Sequence, residues 1–144
     1  MSDIQLAETD SQILFCFDVM KELRPEIKKE NFTEQIRRMQ KETYHLAFIE
    51  KDNKAICAAG FRFEEMLYRG KSIYVDDLVT LAEYRSTGAG GKMMDWIIDF
   101  AKKNNCRQVH LDSGVWRYDA HRFYLNKRFI ISSHHFQLKL DINE

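Results

Sequence analysis

The sequence is poor in cysteine and proline and has no long apolar run, and each scarcity excludes a class of protein. Its three cysteines, Cys16, Cys57 and Cys106, are an odd number without CxxC spacing, which excludes a disulfide framework and indicates reduced thiols. No uncharged apolar stretch reaches the roughly 18 residues of a membrane span, and the N-terminus lacks the basic start and apolar core of a signal peptide. We therefore expect a cytoplasmic protein that does not span a membrane.

Charge of one sign is not in excess either. The 144 residues contain 22 Lys and Arg against 22 Asp and Glu, a formal net charge of zero. Such a chain has no overall field that draws it to nucleic acid or to an anionic membrane, so we expect neither as a partner. With one proline and six glycines the sequence shows no linker, repeat or low-complexity segment, which predicts a single domain over residues 1–144.

Apolar periodicity predicts an α+β fold. Two helices are expected near the N-terminus, the first capped by Asp10 or Ser11 and ended before Pro25, the second with a capping box from Asn31 to Glu34. The period then falls to two, which is typical of strands. The predicted strands span residues 44–50, 55–63 and 71–81, the first two joined by a turn at residues 51–54.

The second half of the chain predicts a crossover unit. A helix over residues 90–104 and a strand over 108–112 follow the third strand, an order that favours parallel strands joined through a helix. A last helix is expected over residues 120–126, and closing strands over 129–132 and 135–140. Together these elements predict a mixed, twisted sheet with helices on both faces.

A glycine loop lies between the third strand and the crossover helix. It consists of Arg85, Ser86, Thr87, Gly88, Ala89, Gly90 and Gly91. Unpaired backbone N–H groups and the positive end of the helix dipole converge at such a helix start, so the segment predicts an anion site. It is neither a P-loop nor the GxGxxG dinucleotide fingerprint.

Two motifs in this order resemble those of the GCN5-related N-acetyltransferase superfamily. The first is the Arg-x-x-Gly-x-Gly loop after an apolar strand, and the second is the segment at residues 120–129, about thirty-five residues later. The resemblance implies that the main chain of Leu78, Val79 and Thr80 holds the acetyl and pantetheine groups of acetyl-coenzyme A. It also implies that residues 86–91 bind the pyrophosphate, and that Arg85 either joins them or forms an internal salt bridge.

The strand before the loop carries an adjacent acidic pair, Asp76 and Asp77, within a segment that resembles the acidic strand of polyamine and thialysine acetyltransferases. Neighbouring strand residues point to opposite faces, so one carboxylate is expected to face the acceptor. We favour Asp76 as the general base, through water. The alternative is that the pair only forms salt bridges. A local negative charge favours a small cationic amine as substrate.

Tyr124 lies where the superfamily places the tyrosine that meets the coenzyme sulfur, so the resemblance implies a proton donor there. Arg128 stands where the family usually has glycine, a change that costs little if its φ stays negative. The family often pairs through its last strands, so a homodimer through residues 129–140 is an expectation.

No metal site is expected, because neighbouring strand residues His134 and His135 send their rings to opposite faces, and His110 with Asp112 lacks a third ligand. The resemblance therefore predicts an acetyl-coenzyme A-dependent N-acetyltransferase acting on a small cationic amine by direct attack. Two alternatives stay open: acetylation of a protein or peptide amine, and a coenzyme A-binding regulatory module without catalysis.

Overall fold

A mixed five-stranded sheet organises the larger part of the computed structural model, which describes residues 3–141. The chain divides into two units, Met1–Leu111 and Asp112–Glu144. The strands of the first unit are β1 (Ile4–Leu6), β2 (Tyr44–Lys51), β3 (Lys54–Met66), β4 (Gly70–Thr80) and β5 (Gln108–Leu111). They lie in the order β1-β2-β3-β4-β5, antiparallel except for the parallel pair β4 and β5. The predicted crossover is confirmed.

Helices pack on both faces of this sheet, as predicted. They are α1 (Asp10–Phe15), α2 (Phe17–Leu23), α3 (Lys29–Gln40) and α4 (Ala89–Lys103). On one face Phe15 packs edge-on against Phe48, with ring centroids 5.8 Å apart. On the other face Phe61 packs against Trp96 of α4 at 6.1 Å. The fully buried side chains between these layers include Ile13, Ile56, Ile73, Met93 and Ile97.

Several local predictions need correction. The first predicted helix is divided at Cys16. Its N-cap is Thr9, not Asp10 or Ser11, and Thr9 forms a capping box with Gln12. The predicted Asn31 capping box is wrong, because α3 already begins at Lys29 and Asn31 lies within its first turn. The three residues of β1 are too few to show a period and were not predicted.

The second unit contains one helix, α5 (Tyr118–Asn126), close to the predicted one. The predicted closing strands over 129–132 and 135–140 are wrong, since residues 129–141 form neither strand nor helix. Alternating apolar residues favoured a strand there, but Phe136 and Leu138 are 90% and 85% exposed. A strand requires a hydrogen-bonded neighbour along its edge, and none pairs with this segment in the described part of the chain.

No helix within residues 3–141 is long and apolar enough to cross a bilayer.

Candidate active site

The C-terminal half of β4 has one edge without a neighbouring strand. The strand pairs with β3 along its length, whereas β5 pairs only with Ser72–Val75. Beyond Val75 no other strand of the described residues lies on that side, and we call residues 76–80 of this side the open edge of β4. An extended ligand can add to such an edge as another strand would. The residues predicted to hold the pantetheine arm, Leu78, Val79 and Thr80, all belong to it.

A bulge in β4 lies where the open edge begins. Gly60 of β3 pairs with Asp77, but the next residue, Phe61, pairs with Val75, so Asp76 is an extra residue in β4. A bulge bends its strand and increases the local twist. The bend therefore coincides with the point at which β5 stops following β4.

The bulge also redirects the acidic pair, and the prediction that Asp76 and Asp77 point to opposite faces is wrong. Asp76 bonds to Arg62, while Asp77 pairs in register with Gly60, two residues from Arg62 on the same face. The alternation fails because the bulge inserts one residue between the two ladder positions. Both carboxylates therefore belong to one polar cluster.

Asp76 is held side-on by a guanidinium. Arg62 Nε donates to Oδ1 at 3.0 Å and Arg62 Nη2 donates to Oδ2 at 2.6 Å. The two side chains are only 26% and 17% exposed. Both carboxylate oxygens of Asp76 are therefore engaged by one side chain.

Asp77 is held differently. Arg24, which follows α2, directs Nε and Nη2 to the same oxygen, Oδ1, at 2.8 and 2.5 Å. No residue among 3–141 is bonded to its other oxygen, Oδ2. Burial raises the pKa of Asp77 and the Asp76 charge adds to this, although Arg24 and Arg62 oppose it. A buried carboxylate with a raised pKa and one available oxygen has the properties of a general base.

Tyr44 closes the cluster from β2. It is buried, its ring lies 5.5 Å from the Arg62 guanidinium, and burial followed by the Asp77 and Asp76 charges raises its pKa. Gly60 makes room for it, because a Cβ there would lie 2.0 Å from the Tyr44 hydroxyl oxygen. Sequence reasoning missed Tyr44, Arg62 and Arg24, since Arg24 is 53 residues from Asp77 and no local pattern joins them.

The glycine loop leads into α4 as predicted. A 3₁₀ turn at Ala82–Tyr84 is followed by Ser86 and Gly88 with φ of 67° and 88°. Gly88 is the N-cap residue of α4, no side chain caps the helix, and its first turn contains no acidic residue. The first N–H groups of a helix have no acceptor within it, so the amides of Ala89, Gly90 and Gly91 are available to an anion.

Two polar side chains of the loop are engaged within the protein. Thr87 Oγ1 donates to the Tyr84 carbonyl at 2.6 Å, which fixes the turn before α4. Arg85 lies 3.6 Å from a Glu22 carboxylate oxygen, the internal salt bridge that was one of the two expectations.

Tyr124 lies on α5 in the second unit, where its ring packs 5.7 Å from that of Phe129. The helix ends in a Schellman motif: the Arg128 amide donates to the Leu125 carbonyl and the Phe129 amide to the Tyr124 carbonyl, both at 3.0 Å. Arg128 has φ of 72°, so the condition under which replacing glycine would cost little is not met. The motif requires a left-handed residue at this position, which explains why a glycine suits it better. The role of Tyr124 stays a prediction.

Within residues 3–141 no group of three or more His, Cys, Asp or Glu side chains is placed to hold a metal ion.

Comparison with known proteins identifies relatives of this chain. The profile of the acetyltransferase (GNAT) family matches residues 12–129. The chain is 36% identical over 125 residues to the uncharacterized N-acetyltransferase YhdJ of Bacillus subtilis (strain 168), covering 84% of this chain and 87% of that protein.

Solved structures share the fold. A putative acetyltransferase from Agrobacterium tumefaciens str. C58 superposes with a TM-score of 0.83 at 19% identity, over 96% of this chain and 100% of the other. The aminoglycoside N-acetyltransferase AAC(6')-Iy in complex with CoA gives 0.83 at 12% identity, over 97% and 95%. The five-stranded mixed sheet with helices on both faces is therefore of the GNAT type.

Proposed function

Because this chain belongs to the acetyltransferase (GNAT) family and is an acyltransferase, we propose that it moves an acetyl group from acetyl-coenzyme A to a primary amine by direct attack. One observation carries the proposal. The open edge of β4 leads through a single loop into the uncapped start of α4. This order would suit an extended arm followed by a diphosphate, the order in which they occur in the coenzyme.

The coenzyme supplies the activated thioester, and the chain supplies the binding groups. The amides of Ala89, Gly90 and Gly91 would hold the pyrophosphate, with the main chain of residues 86–88 around it. Leu78, Val79 and Thr80 would hold the pantetheine arm through backbone hydrogen bonds. A backbone N–H of the same strand would stabilise charge on the carbonyl oxygen.

The acceptor must lose a proton before it attacks. An alkyl ammonium of pKa about 10.4 is neutral in roughly one molecule in 2,500 at pH 7, a handicap of about 4–5 kcal/mol. We assign the general base to Asp77, because its Oδ2 is available and its pKa is raised. Asp76, the residue favoured from the sequence, stays a prediction, but both of its oxygens are bonded to Arg62.

Tyr124 would hydrogen-bond the departing thiolate. A phenol of pKa about 10 is a weaker acid than a thiol of about 8.5, so a full transfer is uphill by about 2 kcal/mol unless the site shifts either value. The proposed role is therefore a stabilising hydrogen bond that ends in proton donation.

The acceptor is proposed to be a small cationic amine. The proposed compartment is the cytoplasm, where cysteines stay reduced, as the three free cysteines require. One solved structure with the same fold is named an aminoglycoside N-acetyltransferase. Nucleic acid and membranes are not proposed as partners, and homodimerisation stays a prediction.

An amine panel that reports free thiol tests this function. Turnover with small amines would support it. Turnover with peptides alone would favour acetylation of a protein or peptide amine instead. Binding of acetyl-coenzyme A without thiol release from any amine would identify a regulatory module instead. Gly90→Asp serves as the control variant impaired in coenzyme binding.

A further inference from the structure

We propose that Arg24 is a specificity-determining residue: its guanidinium occupies the ammonium position on Asp77 and is displaced when a cationic acceptor binds. The proposal rests on the function proposed above, because it concerns the acceptor side of the same site. In this proposal the Arg24 guanidinium competes with the ammonium group of the acceptor for Asp77.

The two arginines of the cluster hold their carboxylates with different geometry. Arg62 uses two nitrogens for two oxygens of Asp76. Arg24 uses two nitrogens for the one oxygen Oδ1 of Asp77, with a further 3.5 Å contact from Nη2 to the Asp76 carbonyl. Pairing through two nitrogens and two oxygens engages the whole carboxylate, whereas two nitrogens that converge on Oδ1 leave Oδ2 for another donor. The Asp77 pair is thus the one that a ligand can enter.

Exposure separates the two arginines as well. The Arg24 side chain is 47% exposed, compared with 26% for Arg62, although Asp77 itself is only 14% exposed. A guanidinium in contact with solvent can leave a buried carboxylate without losing its own hydration. A second cation can reach Asp77 from the same side.

The backbone that carries Arg24 is anchored, so displacement requires only a side-chain movement. Lys21 Nζ donates to the carbonyls of Pro25 and Ile27 at 3.1 and 3.0 Å, which fixes the turn after α2. Glu22 accepts a 3.1 Å hydrogen bond from the Ala82 amide just beyond β4. The turn after Arg24 is therefore bonded to α2, and α2 itself is bonded at Glu22 to the residue beyond the end of β4.

The net charge of the cluster determines which ligands it attracts. The carboxylates of Asp76 and Asp77 are balanced by Arg62 and Arg24, so the cluster as it stands has no net negative charge. A cationic acceptor gains attraction only to the extent that Arg24 withdraws. Removing Arg24 should therefore tighten the binding of cations and leave neutral molecules unaffected.

The test is a binding titration of the full chain with 1,4-diaminobutane, a dication at pH 7, followed by NMR or calorimetry. The neutral 1,4-butanediol is the ligand control. Arg24→Gln should bind the diamine about fivefold more tightly than the native chain, the factor expected for one partly exposed ion pair. Arg24→Lys, which keeps the charge, and Arg38→Gln, which removes an exposed arginine of α3, should bind it like the native chain.

The double variant Arg24→Gln, Asp77→Asn should lose the gain, which locates the site at Asp77. Equal or weaker diamine binding by Arg24→Gln, including no detectable binding by either protein, would overturn the proposal, as would an equal gain for the diol. Tighter diamine binding in a chain that releases no thiol with any amine would uphold the role of Arg24 and reject the transferase. Turnover without the gain would do the reverse.

Discussion

Arg62 and Asp76 form a side-on ion pair across β3 and β4, with hydrogen bonds of 3.0 and 2.6 Å, at the one residue that interrupts the β4 ladder. The adjacent Asp77 bonds instead to a half-exposed arginine through one oxygen. Two neighbouring carboxylates thus differ in their bonding: both oxygens of Asp76 are engaged by Arg62, whereas Oδ2 of Asp77 has no partner among residues 3–141.

This division predicts different defects for the two aspartates. Asp77→Asn should lower kcat/KM by about a hundredfold through loss of the base, with coenzyme affinity unchanged. Asp76→Asn should instead reduce the free energy of unfolding by about 1–2 kcal/mol, because it leaves Arg62 incompletely paired. Chemical denaturation and initial rates on both variants separate the effects. A larger rate defect in Asp76→Asn at unchanged stability would restore Asp76 as the base.

The pH profile provides an independent check on Asp77. A base acts when deprotonated, so kcat/KM should rise with pH through the pKa of Asp77. Because burial raises that pKa above the ordinary 3.8, the rise should lie at higher pH than for an exposed aspartate. The Arg24 charge lowers the pKa of Asp77, so Arg24→Gln should move the rise to still higher pH. The variant keeps the Asp76 charge, which raises this pKa, and the Arg62 charge, which lowers it. An unmoved profile would show that Asp77 is not the titrating group.

Gly90→Asp places a carboxylate among the amides that start α4. It should weaken acetyl-coenzyme A binding by tenfold or more through repulsion of the pyrophosphate, while an acid in a first helical turn does not disfavour the helix. Asn105→Asp, which adds the same charge just beyond the other end of α4, is the control. Calorimetry that shows equal affinities for both variants would contradict the assignment of the loop.

Tyr124→Phe removes one hydroxyl from α5. Turnover should fall by roughly a hundredfold with little change in coenzyme binding, because the hydrogen bond forms to the departing thiolate. Pre-steady-state thiol release measures this step directly. Unaltered release would remove Tyr124 from the mechanism and leave it as a packing partner of Phe129.

Arg128→Gly should stabilise the protein. A residue other than glycine in the left-handed region costs about 1 kcal/mol, and Arg128 occupies that region at the C′ position of α5. The neighbouring Lys127 has φ of −82°, so Lys127→Gly should give no gain. Thermal unfolding of both variants makes the comparison, and an equal shift would show that strain at Arg128 is not relieved.

Local chemistry made much of the fold predictable. Alternation predicted β2, β3 and β4, apolar spacing predicted α4, and the turn at Asp52 and Asn53 has the positive φ values of 54° and 59° that suit a tight hairpin. The glycine loop was predictable because the chemistry of a helix start depends on a few consecutive residues.

What escaped prediction depends on distant parts of the chain. The bulge at Asp76 is a property of the β3–β4 register, so strict alternation placed the two carboxylates on opposite faces. The Arg24–Asp77 pair joins residues 53 positions apart. Residues 135–140 have a strand pattern but no strand beside them in the described structure, and pattern alone does not supply a partner.

Binding of acetyl-coenzyme A along the open edge of β4 and at the start of α4 can be followed residue by residue in a ¹⁵N NMR titration with the coenzyme. We expect the largest amide shifts at residues 78–80 and 86–91. Shifts that leave both segments unchanged, or no binding at all, would contradict it.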